Sequence, residues 1–301
     1  MAYVFLLVFA SCLLHVLWNA SGKKCGDSEA FTWLTTVGGT LVNIVALCVL
    51  TLSGRIQPIP VSAGLLKMAA TSGFFEGCYF IFLFWSYRHI DLSVAYPLSR
   101  GLAPLATLFL GPVVVLVFGL DSHRGIQLSQ LLPVAIALGG ASLLCYDALS
   151  RSDAKQNVLK GLILAMLTGL SIASYHLVDS TAMETYKLPS IQYLTVMSLF
   201  MSLFVSLWML TKKNAHARIA KELKGNIKGV LSVCCISNFT YCLVLLAFKL
   251  AKNATLVTAA RNMGIVISLI YAAIFLKEKV SFQKALGACM ITAGIIWIFL
   301  V

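Results

Sequence analysis

LSVAYPLSRGLAPLATLFLGPVVVLVF (Leu92–Phe118) is a continuous apolar run in which Arg100 is the single charged residue. A run of this length crosses a bilayer core as helix. Its apolar residues do not alternate with polar ones, so a lipid-facing barrel strand is excluded. An arginine at the centre of such a helix costs about 2.5–3.5 kcal/mol on insertion scales, so it must face another polar group or a wet cavity. Pro97, Pro104 and Pro112 each remove a backbone hydrogen bond. The resulting bends either serve packing alone or turn freed carbonyls toward a cavity near Arg100.

The same pattern recurs along the chain. The periodicity predicts helices at Ala2–Ala20, Phe31–Leu52, Leu65–Tyr87, Leu92–Phe118 and Leu128–Cys145. A second set is predicted at Val158–Thr181, Ile191–Leu210, Val230–Phe248, Ala254–Leu276 and Phe282–Val301. Composition agrees. Of 301 residues, 59% are hydrophobic and 11% charged, against about 25% charged in a soluble domain. Mean hydropathy is +0.90. The first run lacks a basic leader and ends at the polar Asn19, so it reads as a retained helix rather than a cleaved signal. The expectation is an all-α, multi-pass protein of the plasma (inner) membrane with the lipid bilayer as its solvent.

The net charge of +12 does not read as nucleic-acid binding, because Lys and Arg lie in short connectors between apolar runs. Most fall after predicted helices 1, 3, 5, 7 and 9. The positive-inside rule therefore puts those connectors in the cytoplasm and both termini outside. The longest connector, TKKNAHARIAKELKGNIK (Thr211–Lys228), reads either as a short helix on the membrane surface or as a solvated loop. The nine cysteines are scattered and none has metal-ligand spacing, so no metal or cofactor is expected.

The chain carries a weak internal repeat. At one offset His15 falls on His176, Glu76 on Ser237, Gly77 on Asn238, Tyr87-Arg88 on Phe248-Lys249, and Arg100 on Arg261. Residues 1–150 and 151–301 are thus predicted to be two five-helix repeats. Five is odd, so the copies enter the membrane in opposite senses, as two inverted repeats around a central cavity.

Polar residues form stripes on several helices. His15 and Asn19 lie on one face of helix 1 with Ser11 and Trp18. Glu76 and Tyr79 share a face of helix 3, Tyr96 and Arg100 a side of helix 4, and Tyr175, His176 and Asp179 a side of helix 6. Thr258, Arg261 and Asn262 form a patch on helix 9. These stripes predict one shared cavity. Each residue also has a plainer reading. Arg100 with Glu76 also reads as a structural ion pair, Asp179 as a hydrated interface residue, and His15 and His176 as partners of backbone or serine groups. Lys249 and Lys252 read as snorkelling or loop charges. In the functional reading, Arg100 and Arg261 bind an anion, since guanidinium stays charged when desolvated and can fork onto a carboxylate. Glu76 meets a substrate ammonium or carries a coupling proton. Tyr79, Tyr96, Tyr175 and Asn262 supply orienting hydrogen bonds.

Four stretches resemble the drug/metabolite transporter superfamily in its ten-helix EamA-like branch. HVLWNASGKK (His15–Lys24) is similar to the end of that branch's first helix. YRHIDLSVAYPLSRGLAPL (Tyr87–Leu105) is similar to its helix 3–4 junction. LTGLSIASYHLVDS (Leu167–Ser180) resembles the start of the second repeat, and FLKEKVSFQKALGACMITAGI (Phe275–Ile295) the helix 9–10 junction, with Glu278 at the family's Glu. The resemblance implies two inverted five-helix repeats, a cavity among helices 1, 3, 4, 6, 8 and 9, and metabolite transport, often amino-acid export. FGLDSHR (Phe118–Arg124), after helix 4, departs from the pattern by lacking the Glu. Many relatives are drawn with cytoplasmic termini, opposite to the charge count here.

The expected function is secondary active transport, by alternating access, of a small polar metabolite that is amino acid-like or an organic anion, with protons as candidate coupling ion. A monomer and a homodimer both fit. Two other classes stay open: an embedded enzyme acting on a lipid headgroup, and a passive channel. The first would need a catalytic motif, and the sequence has no HExxH, paired-Asp or Gly-rich phosphate-loop pattern. The second would favour an unbroken polar lining.

Overall fold

Apolar runs of this length fold as helix in a bilayer because every backbone N–H and C=O must be satisfied within the segment. The computed structural model describes residues 2–118, 128–250, 261–298 and 300, and among these it shows helices and no strand. They are α1 (Ala2–Lys23), α2 (Ser28–Leu52), α3 (Ala63–Ser86), α4 (Leu92–Phe118), α5 (Leu131–Ser150), α6 (Lys155–Tyr186), α7 (Ser190–Leu210), α8 (Ala215–Leu250), α9 (Met263–Phe275) and α10 (Phe282–Ile298). Six of them, α1, α2, α3, α5, α6 and α7, are long and apolar enough to span a membrane, and α9 and α10 are shorter apolar helices. The start of predicted helix 9 with Thr258, the Pro112 and Lys249 side chains and Lys252 lie outside what is described.

Among the described residues, three boundaries differ from the sequence reading by five residues or more, the first being the end of helix 5, predicted at Cys145 and found at Ser150. Helix 6 is predicted to end at Thr181; α6 continues to Tyr186, and Lys187 ends it in the left-handed region (φ 50°). Helix 8 is predicted to begin at Val230; α8 begins at Ala215, with non-helical Asn226 bending it between a connector segment and the apolar run. Residues 215–225 alternate Ala, Leu and Ile with Lys, Arg and Glu, and so make an amphipathic helix that a hydropathy count passes over.

The helices expose apolar stripes outward and bury polar side chains within a core that is itself largely apolar, whereas a soluble bundle keeps its polar residues outside. In α2, Leu41, Val45, Val49 and Leu52 are exposed at i, i+4, i+8 and i+11, and α7 repeats the pattern with Leu199, Leu203, Leu207 and Leu210. On the opposite side of α2, Thr32, Thr36, Thr40 and Asn43 are buried at the same spacing. Lipid supplies no hydrogen bonds, so the hydroxyls turn inward and bond the preceding turn or a neighbouring helix. Thr40 Oγ1 lies 2.9 Å from Ser198 O and 2.6 Å from Ser202 Oγ of α7.

Packing partners are exchanged when five is added to a helix number. Contact of α1 with α8 mirrors α6 with α3, α2 with α8 mirrors α7 with α3, and α1 with α9 mirrors α6 with α4. The pairs α2–α7 and α5–α10 map onto themselves. Small residues let backbones approach closely. A Cβ on Gly140 of α5 would sit 2.5 Å from Gly287 O of α10, and one on Gly73 of α3 would sit 2.6 Å from Met197 O of α7.

The connectors after α1, α3, α5, α7 and α9 meet on one face. Lys23 Nζ donates to Tyr87 O and Ile90 O, both at 2.6 Å. Glu278, from the α9–α10 connector, accepts the Leu92 and Ser93 N–H groups at 2.9 Å and so caps the otherwise unsatisfied start of α4. Lys284 pairs with Asp91 at 2.7 Å, and Ser281 Oγ donates to Asp147 at 2.7 Å. Arg218 of α8 forks onto Asp27, the N-cap of α2, and reaches Glu29 at 2.6 Å. Burial works to raise the Asp27 carboxyl, but Arg218 and the Ala30 and Glu29 N–H groups outweigh it and hold it below its ordinary value.

Candidate functional site

A cavity of about 530 Å³ lies between the helices, within the range of small-molecule sites. Eight of the eleven residues singled out from the sequence line it: His15, Glu76, Tyr79, Arg100, Tyr175, His176, Asp179 and Arg261. They come from α1, α3, α4, α6 and the residue pair before α9. Each faces inward because its own helix presents an apolar stripe on the other side. On α6, for instance, Leu159, Ile163, Met166 and Leu170 are exposed at i, i+4, i+7 and i+11, and Tyr175, His176 and Asp179 line the cavity.

The other three lie behind the wall. Asn19 is buried, donates to His15 O at 2.7 Å and accepts from Tyr87 OH at 2.6 Å, so both ends of its amide are engaged. Tyr96 is buried beneath Arg100, whose Cζ lies 5.9 Å from the ring centroid, a cation–π contact. Asn262 is buried at the start of α9. These three sit next to residues that line the cavity, since His15, Arg100 and Arg261 are their contacts or chain neighbours.

The plainer reading of Arg100 with Glu76 as an ion pair is not what the structure shows. None of the ion pairs among the described residues involves either. Arg100 Nη2 instead lies 2.9 Å from His15 Nε2, and Trp18 Nε1 donates to His15 Nδ1 at 3.2 Å. A neutral imidazole has one accepting nitrogen, so it can serve only one of these two N–H groups at a time. Glu76 Oε2 is buried and has no hydrogen-bond partner among the described residues. A carboxylate in that position must be protonated or must meet a cation.

Asp179, read alternatively as a hydrated interface residue, is instead held inside the bundle. Its Oδ1 accepts from Tyr193 OH at 2.7 Å and from Ser72 Oγ at 2.5 Å. The neighbouring His176 ring is open to the cavity and packs edge-on to Tyr175 at 4.6 Å between centroids. Tyr175 in turn stands 5.9 Å from Tyr79, edge to face, and both rings line the cavity.

The lining also includes residues that the charge-based reading passed over. Thr35, Thr36, Gly39 and Asn43 come from α2, Tyr193, Met197 and Ser198 from α7, and Ser237, Asn238 and Thr240 from α8. The signal for the α2 group was present: a threonine stripe at i, i+4 and i+8 closing on Asn43 is unusual in a helix that otherwise suits lipid. With α8 the implied set of lining helices is met, while α2 and α7 exceed it. The lining reaches Met183, Tyr193 and Leu194, near the α6–α7 turn, and on the other side stops at Trp18 and Thr35, short of the tied connectors.

Among known proteins, residues 159–300 match the EamA-like transporter family. No curated protein matches the chain. Sixteen chains of solved structures do. One of these, described only as the crystal structure of a protein, covers 99% of this chain and 96% of its own at 16% identity, with a TM-score of 0.57. At that identity the likeness is one of fold.

Proposed function

We propose, from the match of residues 159–300 to the EamA-like transporter family, that this multi-pass membrane protein is a secondary transporter of a small metabolite bearing an anionic group, amino acid-like or an organic anion. The observation that carries the reading is that Arg100 and Glu76 line one cavity without an ion pair between them. A ligand with a carboxylate for Arg100 and an ammonium for Glu76 would satisfy both at once. Charge-assisted bonds of this kind are strong where water is excluded. Arg261 lines the same cavity and would share the anion.

Alternating access needs two arrangements of the same helices. The exchange of packing partners between helix n and helix n+5 supports two five-helix units, 1–150 and 151–301, inverted with respect to one another and giving ten spans. In this reading the tied connector face closes one end of the cavity, and the α6–α7 side is the route in. Glu76 also fits a second duty. A carboxyl that lacks a partner can take up a proton when the substrate has left, which would couple transport to a proton gradient.

The test is uptake and counterflow in proteoliposomes with an imposed pH gradient, screened over amino acids and organic acids. Arg100→Gln, Arg261→Gln and Glu76→Gln are expected to abolish flux while the proteins stay folded. Normal turnover in all three would overturn the site. If Glu76→Gln keeps counterflow and loses only gradient-driven uptake, Glu76 carries the proton rather than the ammonium. Currents of channel size, or turnover of lipid, would move the protein to another class.

A further inference from the structure

The segment between α7 and the apolar part of α8 has a face that transport does not use. Residues 215–225 are helical, and Asn226 (φ −139°, ψ 34°) bends them away from the run that follows. The charges on the inner side of this segment are engaged by the fold. Arg218 is held by Asp27 and Glu29. Glu222 is buried and accepts from Gly26 N at 3.3 Å, Asp27 N at 2.8 Å and Asn226 Nδ2 at 3.1 Å. The segment is thereby bolted to the α1–α2 corner.

Its outer side is of one sign. From Thr211 to Lys228 the exposed ionisable residues are Lys213, His216, Lys221, Lys224 and Lys228, and no carboxylate is exposed among them. Lys221 and Lys224 stand three residues apart in the helix, and Lys213 lies just before it in the turn that Asn214 (φ 55°) completes. Leu223, Ile227 and Leu231 are exposed at 37%, 49% and 56%. Leu223 within the lysine-bearing helix, with Ile227 and Leu231 just past the bend, suits a segment lying at the membrane–water interface where the apolar run enters, lysines toward headgroups and apolar side chains toward acyl chains. An independent observation points to the same level. Lys212 lies 4.6 Å from the Trp208 ring and 5.5 Å from the Trp85 ring while pairing with Glu29 at 3.1 Å. Tryptophans gather at headgroup level, so this signal puts the α7 end of the segment at the bilayer surface.

We infer that residues 213–228 form a docking surface for anionic phospholipid headgroups, and that lipid held there stabilises the α1–α2 corner through Arg218 and Glu222. Charge complementarity selects the occupant: a row of lysines with no exposed carboxylate is attracted by an anionic leaflet and indifferent to a zwitterionic one. This rests on the membrane location alone and stands whether or not the cavity binds a carboxylate.

The full-length protein is reconstituted in nanodiscs of phosphatidylcholine with and without phosphatidylglycerol. Amide exchange is followed in peptides covering residues 24–30 and 213–228. Phosphatidylglycerol is expected to slow exchange in both by about tenfold, and added salt to reverse the effect by screening. The variant K213Q/K221Q/K224Q/K228Q should lose the slowing, and K155Q/K160Q, on the same face but outside the segment, should keep it. Equal exchange in the two lipid mixtures overturns the proposal, as does full slowing in the fourfold variant. If soluble glycerol phosphate reproduces the slowing in phosphatidylcholine discs, the site is one for free phosphate and the lipid assignment fails. Should the fourfold variant not fold, the wild-type salt series decides: slowing that persists at high salt is not electrostatic and refutes the docking surface.

Discussion

At the connector face Lys284 meets Asp91, Arg218 forks onto Asp27 and reaches Glu29, and Glu278 caps α4. In the central cavity Arg100 and Glu76 share a space without pairing, and a single imidazole stands between two N–H groups. The two regions use the same residue types to different ends. Charges that satisfy each other within the chain hold it together and leave little for a ligand. Charges left short of partners destabilise the empty protein and are retained where a ligand completes them. Cavity substitutions should therefore change transport more than stability, and connector substitutions the reverse.

The largest expected effect is on transport. Arg100→Gln should lower kcat/KM by about 100-fold or more, the scale expected when a charge-assisted bond is removed from a water-poor site, with Tm unchanged. A melt that drops together with flux would mean that Arg100 is structural and would erase the contrast between the regions. Gly140→Val sharpens it from the other side. Its side chain would meet Gly287 O, backbone that cannot step aside, and destabilisation of about 3 kcal/mol is expected from thermal or denaturant melts. If the variant melts like the wild type, the close α5–α10 approach is wrong.

Asp91→Ala should cost about 1–2 kcal/mol, since it strands the buried Lys284, although Asp91 itself is half exposed, which limits the loss. Adding Lys284→Met should recover most of that loss, and neither variant should alter KM. Additive losses in the double variant would show that the pair is not coupled. Glu76→Gln should leave Tm the same or higher, because it replaces a buried carboxyl whose Oε2 has no partner among the described residues with a neutral amide. A clear fall in Tm would reveal that Glu76 holds the helices together.

The smallest effect concerns pH at the α1–α2 corner. Asp27 has its folded-state pKa below the unfolded value, so its contribution to stability is present above about pH 4 and fades as pH falls through the folded value. Exchange in residues 24–30 should accelerate below that range in wild type. Asp27→Asn should be faster at neutral pH and should lack this acid-dependent step. Identical pH profiles for the two proteins would remove Asp27 from the corner's acid response.

Much of this was legible in the residues. The apolar run around Arg100 announced a buried, polar-facing span, and eight intramembrane polar residues chosen by cost and periodicity converge on one cavity. The α2 and α7 linings escape such a reading because Thr and Ser in a lipid-phase helix can satisfy themselves on the preceding turn, as Thr36 does on Thr32 O, and so carry no obvious energetic penalty. Asn19 stands out for its polarity, yet polarity does not tell an amide whose bonds are both made within the fold from one that faces a ligand.

By itself the sequence determined that the chain must be helical in a membrane and that its intramembrane charges must avoid lipid, because transfer free energy acts on each residue within its own helix. Only the tertiary structure decided which of those charges meet. Pairing depends on distances between helices far apart in the chain, as with Glu278 and the start of α4, or His15 and Arg100, and these are fixed by how the small-residue faces allow the helices to approach.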